Sequence, residues 1–121
     1  KSSSRDAYTR GVLQRFLTRA FRRPAAPGEV ERYLEIWKSI EDEHPVYEEG
    51  VKEVLLAILC SPHFLFLVEP EELGSPLSEH ALATRLAFFL WNAPPDARLR
   101  ALADAGELRA ALVDEVDRLL A

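Results

Sequence analysis

No methionine occurs in these 121 residues, not even at position 1, and there is one cysteine, Cys60. A chain without an initiating Met reads as a segment of a longer protein, so an export signal would lie upstream. A single thiol permits no internal disulfide, and cysteine usage therefore does not reveal the redox compartment. No apolar run approaches the ~20 residues needed to span a bilayer, and the polar start KSSSR is no signal peptide. No strand-like alternation, internal repeat or low-complexity tract is evident. The length suffices for a single core without metal or disulfide staples.

What is present is helical periodicity and a lopsided charge distribution. Residues 1–24 hold seven basic side chains against Asp6, whereas residues 25–80 hold three basic and thirteen acidic, within a total of −5. A basic first helix is compatible with a phosphate-binding face. The acidic middle would repel a polyanion, and the aromatics of the first helix fall on its apolar stripe rather than forming a base-stacking row, so the spacing favours pairing of the first helix with acidic neighbours and no nucleic-acid partner.

From Asp6, apolar residues Tyr8, Val12, Leu13, Phe16, Leu17, Ala20 and Phe21 recur at three- and four-residue steps until Pro24 stops the helix. Arg22 and Arg23 then complement its C-terminal dipole. Pro27 suits the first turn of a second helix with Val30, Tyr33, Leu34, Trp37 and Ile40 inside. A third helix from Tyr47 presents Val51, Val54, Leu55, Ile58 and Leu59. Ser61 before Pro62 reads as a cap and first-turn residue, so that HFLFLV forms a short buried turn or helix. EPEELGSPLS has the composition of a connector. Ser78 caps a helix EHALATRLAFFLW whose second half is apolar nearly all round, which predicts burial on several sides. Pro94 and Pro95 break it, DARLRALADA follows up to a left-handed stop at Gly106, and a last helix carries Leu108, Leu112, Val116, Leu119 and Leu120. The expected fold is all-α: a compact bundle of about six helices, a three-helix module over 1–69, a connector over 70–77, and the opening of a second helical domain over 78–121.

Four blocks in this order, FLTRAFRRP, EVERYLEIW, YEEGVKEVLLAILCSPHFLFLVE and LATRLAFFLWNAPPDARLRALADAGEL, resemble adjoining helical domains of unknown function. These occur in large, mostly exported proteins of planctomycetes and related bacteria, which often also carry a c-type cytochrome domain. The resemblance covers nearly the whole chain. It implies periplasmic or envelope location, neighbouring domains of the same protein as partners, and a second domain cut short at Ala121. It transfers no catalytic residue. The family usually has an aliphatic residue where this chain has Cys60, which argues against a thiol function.

The run LCSPHFLFLV invites chemical readings, and each lacks parts. Haem attachment needs Cys-x-x-Cys-His, and CSPH has one thiol. Zinc wants about four ligands, and beside Cys60 and His63 only His44 and His80 remain, without ligand-like spacing. A Cys–His nucleophile needs an orienting group and an oxyanion donor. The expectation is that Cys60 is a buried core residue with Phe64 and Phe66 beside it, and that His63 bonds a helix end or the chain break, fixing the turn. The acidic run at Glu41, Asp42, Glu43, Glu48 and Glu49 lacks the alternating ligands of a calcium loop and reads as a solvated helix end. Arg85, the one charge in an apolar helix half, is expected to be buried on a carboxylate, tying the modules together through Asp96 or the acidic middle. Trp37 and Trp91 are expected to be core or interface anchors rather than a sugar platform.

No catalytic, cofactor or metal residue is assigned; the structural candidates are Arg22, Arg23, Cys60, His63, Arg85, Trp91 and Asp96. The chain reads as a non-catalytic helical module that organises neighbouring domains. The alternative is part of an envelope enzyme, redox or polysaccharide-related, completed by sequence outside it. The last helix should fold back on Leu82, Leu86, Phe89 and Leu90, giving a monomer; pairing of that helix between two copies is the other solution.

Overall fold

The computed structural model describes residues 2–66 and 75–121, so most of the predicted connector lies outside the described residues. The described residues form seven α-helices and no strand: α1 (Ser2–Ala20), α2 (Glu29–Ile40), α3 (Tyr47–Leu59), α4 (Pro62–Leu65), α5 (Glu79–Trp91), α6 (Ala97–Ala105) and α7 (Leu112–Leu120). The fold is the expected all-α one. The extra helix is the PHFL turn, and α1 begins four residues earlier than the apolar spacing marks. Pro27 lies in the turn before α2 rather than in its first turn, because Gly28, at φ 83°, makes the entry. The chain divides into two compact units, Lys1–Leu67 and Val68–Ala121.

In the first unit α1 packs on α2 and α3, and α2 packs on α3. The core is the periodic set: Leu13, Leu17 and Phe21 from α1 and its exit, Val30, Tyr33, Leu34 and Trp37 from α2, and Val51, Val54 and Ile58 from α3. Trp37 is fully buried and meets Tyr47 edge-on, ring centroids 5.1 Å apart. Thr9, also buried, has its hydroxyl 2.9 Å from the Arg5 carbonyl and 2.9 Å from the Tyr47 hydroxyl, so its polar group is satisfied. Arg10 pairs with Glu31, as expected of a basic α1 beside acidic neighbours, whereas the Lys38–Asp6 pair at 3.0 Å runs in the opposite sense, with the acid on α1.

Cys60 is exposed, contrary to the expectation of a core thiol. Val51, Val54 and Ile58 define the inner stripe of α3, and a residue two past Ile58 is turned ~200° from it. Cys60 is therefore at the outer side of the helix end. We predict prompt stoichiometric reaction of the native protein with an aromatic disulfide reagent; a thiol that reacts only after denaturant is added would contradict this. Phe64 packs on the core edge, but Phe66 is 65% exposed rather than buried.

In the second unit α5 packs on α6 and α7, so the last helix does fold back on α5. Its core is Ala83, Ala87, Leu99, Ala103, Leu108 and Leu119, with Leu82, Leu86, Leu90 and Leu102 at the margin. The inner face of α5 is small: Ala83, Thr84 and Ala87. That choice turns Arg85 outward, where it is exposed, and leaves Phe89 86% exposed. The expectations of a buried Arg85 and of Phe89 beneath the last helix are both overturned: small residues let the neighbouring helices approach closely on one side, and the bulky side chains occupy the other. Ser78 caps α5 by accepting from Ala81 N at 3.1 Å, and Gly106 ends α6 at φ 72°, as the sequence indicates.

Candidate functional site

Among the described residues, one polar cluster in each unit involves residues that the sequence singles out. In the first unit the AFRRP block meets the SPHF block. Residue 22 takes a left-handed conformation, φ 58°, to end α1, an arrangement that costs a non-glycine residue about 1 kcal/mol. Its side chain offsets this. One guanidinium nitrogen donates to the carbonyl of Phe64 at 3.3 Å, and the other to those of His63 at 3.2 Å and Phe66 at 3.4 Å. These are acceptors that the end of the four-residue α4 leaves without helical partners. Burial lowers the Arg22 pKa from its ordinary value, but an arginine remains charged throughout the usable pH range.

Arg23 forms a two-pronged ion pair with Glu29, at 2.8 and 2.7 Å, and Glu29 also accepts from Ala26 N at 2.6 Å. The hydrogen bonds from Arg23 hold the Glu29 carboxyl below the usual range against the opposing effect of burial. The His63 ring lies on Phe21, centroids 5.3 Å apart, while its backbone N–H bonds the Ser61 hydroxyl at 3.2 Å, so Ser61 is the cap that was expected. Arg22 thus holds the His63 backbone, while Arg23, the next residue, is engaged separately by Glu29. Cys60 is exposed and makes no hydrogen bond with them.

We predict an inverted substitution order at position 22. Arg22→Gly and Arg22→Ala both lose the carbonyl contacts, but Gly adopts the left-handed backbone freely. Arg22→Gly should therefore be the more stable of the two by about 1 kcal/mol in urea unfolding; equal midpoints would show the backbone strain to be negligible.

In the second unit Asp96 caps α6, accepting from Leu99 N at 2.8 Å, and its other oxygen accepts from Arg118 at 2.9 Å. Arg118 also donates to Glu115 at 2.8 Å, and Arg98 reaches the same carboxylate at 2.6 Å. Glu115 is fully buried. Burial alone would raise its pKa, yet hydrogen bonds from Arg98 and Arg118 outweigh burial and hold it low. Asp96 follows the same logic, with the Leu99 N–H and Arg118 overcoming desolvation. The Arg118 guanidinium sits 5.7 Å from the centre of the Trp91 ring, whose N–H donates to the Leu119 carbonyl at 2.8 Å. Trp91 is thus an anchor, though 42% exposed. Asp96 is held by Leu99 N and Arg118; the other expected partner of Arg85, a carboxylate of the acidic middle, falls partly on residues outside the described ones.

Glu29, Glu115 and Arg118 were not singled out from the sequence. For Glu115 a signal existed: it stands three residues after Leu112 and four before Leu119, on the inward stripe of the last helix. Among the described residues no group of three or more His, Cys, Asp or Glu is placed to hold a metal ion, and no helix is long and apolar enough to cross a membrane.

Four carboxyls have lowered pKa values; Glu31 is exposed, whereas the three that are not on the open surface, Glu29, Asp96 and Glu115, dictate an acid-sensitive fold. Each binds a proton more weakly when folded than when unfolded, so its contribution is complete above the ordinary values, 4.5 for Glu29 and Glu115 and 3.8 for Asp96, and is lost as pH falls through the folded values. Urea midpoints should be flat from about pH 7 to 5 and drop below that. Glu29→Gln should flatten the decline, and a profile unchanged by that substitution would remove Glu29 from the account.

A model of the family described as PSD5, protein of unknown function (DUF1595), matches residues 8–69, and a model described as PSD4, protein of unknown function (DUF1592), matches residues 77–121. No curated protein and no solved structure matches the chain.

Proposed function

Because the chain belongs to the PSD5 family of proteins of unknown function (DUF1595), we propose that it serves as a non-catalytic helical module that positions neighbouring domains of a larger exported protein. The observation that supports this reading is the internal use of the polar clusters. Arg22 is committed to three backbone carbonyls, Arg23 to Glu29, and Arg118 to Asp96 and Glu115. A guanidinium or carboxylate held in this way stabilises a chain reversal or a helix junction, and it has little capacity left for a substrate. Residence in the periplasm or envelope, in one polypeptide with a c-type cytochrome domain, is the setting that the resemblance of the AFRRP, SPHF and RLAFFLW blocks suggests.

The test uses the full-length protein. Arg22→Ala and Glu29→Ala are expected to lower its unfolding temperature while any turnover or haem redox signal, measured per folded molecule, stays unchanged; His63→Gln should leave both intact. A variant that keeps its unfolding temperature but loses turnover would overturn the module reading and favour an enzyme completed by other segments. Cell fractionation with an antibody to the native protein tests the location.

A further inference from the structure

The charge excess of α1 is only partly used by the contacts described above. At 100° per residue, Arg5, Tyr8, Val12, Arg15, Phe16 and Arg19 fall within one ~100° sector of α1 and extend over about 21 Å of its length. This sector flanks the core-facing stripe of Leu13 and Leu17. Tyr8 is 63% exposed, Val12 and Phe16 are half-buried, and Arg15 and Arg19 are exposed. Val12, Arg15, Phe16 and Arg19 line an open depression. Arg5 lies over the Tyr47 ring, 5.8 Å from its centre. Arg15 and Arg19, one turn apart, have no carboxylate within ion-pair distance among the described residues. The one acid on α1, Asp6, is on another side of the helix and is paired with Lys38.

We infer that this sector is a docking surface for an acidic amphipathic helix of a partner domain. A row of about four turns in which Tyr8, Val12 and Phe16 stand among Arg5, Arg15 and Arg19, the last two without a carboxylate partner among the described residues, matches the surface that such a helix presents, with carboxylates and leucine-type side chains three and four residues apart. Arginine suits the role because its planar fork binds carboxylate with two parallel bonds while its stem covers apolar surface. A nucleic-acid strand fits less well. The thirteen acidic residues between positions 25 and 80 oppose a long polyanion, and half-buried Val12 and Phe16 provide a floor for aliphatic groups rather than a row of free ring faces for bases. The inference rests on the module reading for its biological role, but its test is independent: peptide binding can fail while the stability and turnover outcomes above still hold.

The probe is a fluorescent helical peptide of about five turns built from Leu, Glu and Ala, with Leu and Glu on one stripe. A scrambled peptide of the same composition and an oligothymidylate of equal charge serve as comparisons, and anisotropy is read on the intact chain. The expected result is binding of the ordered peptide in preference to both comparisons. Arg15→Glu with Arg19→Glu should weaken it at least about tenfold, Tyr8→Ala should weaken it less, and added salt should weaken it too. Circular dichroism and the unfolding temperature check the variants. Should the charge reversal unfold the protein, Arg15→Gln with Arg19→Gln is read the same way. Equal binding of the scrambled peptide, preference for the oligothymidylate, indifference to the arginine substitutions, or no binding by any probe would each overturn the proposal.

Discussion

Gly50→Ala is expected to destabilise the first unit by about 2–3 kcal/mol, although the same replacement in an exposed helix interior gains up to about 1 kcal/mol. The reversal comes from a close approach. A methyl group at residue 50 would lie 2.5 Å from a ring carbon of Trp37 and 3.2 Å from the His44 Cβ. Trp37 cannot retreat, because it is fully buried and Tyr47 closes one side of its ring. Either α3 moves away from α2 or the indole leaves its place, and both changes loosen the centre of the core. Gly11 is the control: its added methyl would meet nothing nearer than an Arg15 guanidinium nitrogen at 3.7 Å, so Gly11→Ala should stabilise α1 by several tenths of a kcal/mol. Chemical denaturation of both variants checks the pair. A stabilising Gly50→Ala would mean that α2 and α3 are farther apart than the structure places them.

The second large effect is expected at Arg118. Its replacement by Ala removes the cation shared by Asp96 and Glu115, and it leaves Glu115, which is fully buried, with Arg98 alone. The expected loss is about 3 kcal/mol, since a buried carboxylate short of partners retains its desolvation cost. Replacing both charges, Glu115→Leu with Arg118→Met, should recover part of the loss, because the apolar pair has no charge to desolvate. Amide exchange is the appropriate measurement: protection should fall throughout α6 and α7 in Arg118→Ala and return in the double variant. Unchanged protection in the single variant would show that Arg98 suffices for Glu115.

Much of the first unit was legible because its helices carry contrast. On α2 and α3 the apolar positions alternate with charged ones at helical spacing, and Val30, Tyr33, Leu34, Trp37, Val51, Val54 and Ile58 are indeed buried, while Ile40, Leu55 and Leu59, also expected inside, are half-buried. Ser61, Ser78 and Gly106 were legible for a different reason: caps and left-handed stops are set by bonding within a few residues of chain. Contrast is missing from the second half of α5, where LAFFLW is apolar on every side, and there the sequence misled. Periodicity cannot select an inner face when all faces look alike, and the packed structure selected Ala83, Thr84 and Ala87, leaving Phe89 and Arg85 outside.

Helix class, element order, most of the first core and the caps therefore follow from the amino-acid sequence alone, since each depends on local backbone preference or on regular spacing. The outward position of Cys60, the hold of Arg22 on carbonyls about 40 residues away, and the sharing of Arg118 between Asp96 and Glu115 are decisions of the tertiary structure. A charged side chain has several possible partners along a chain, and only the packing of the apolar faces determines which of them is brought within hydrogen-bond distance.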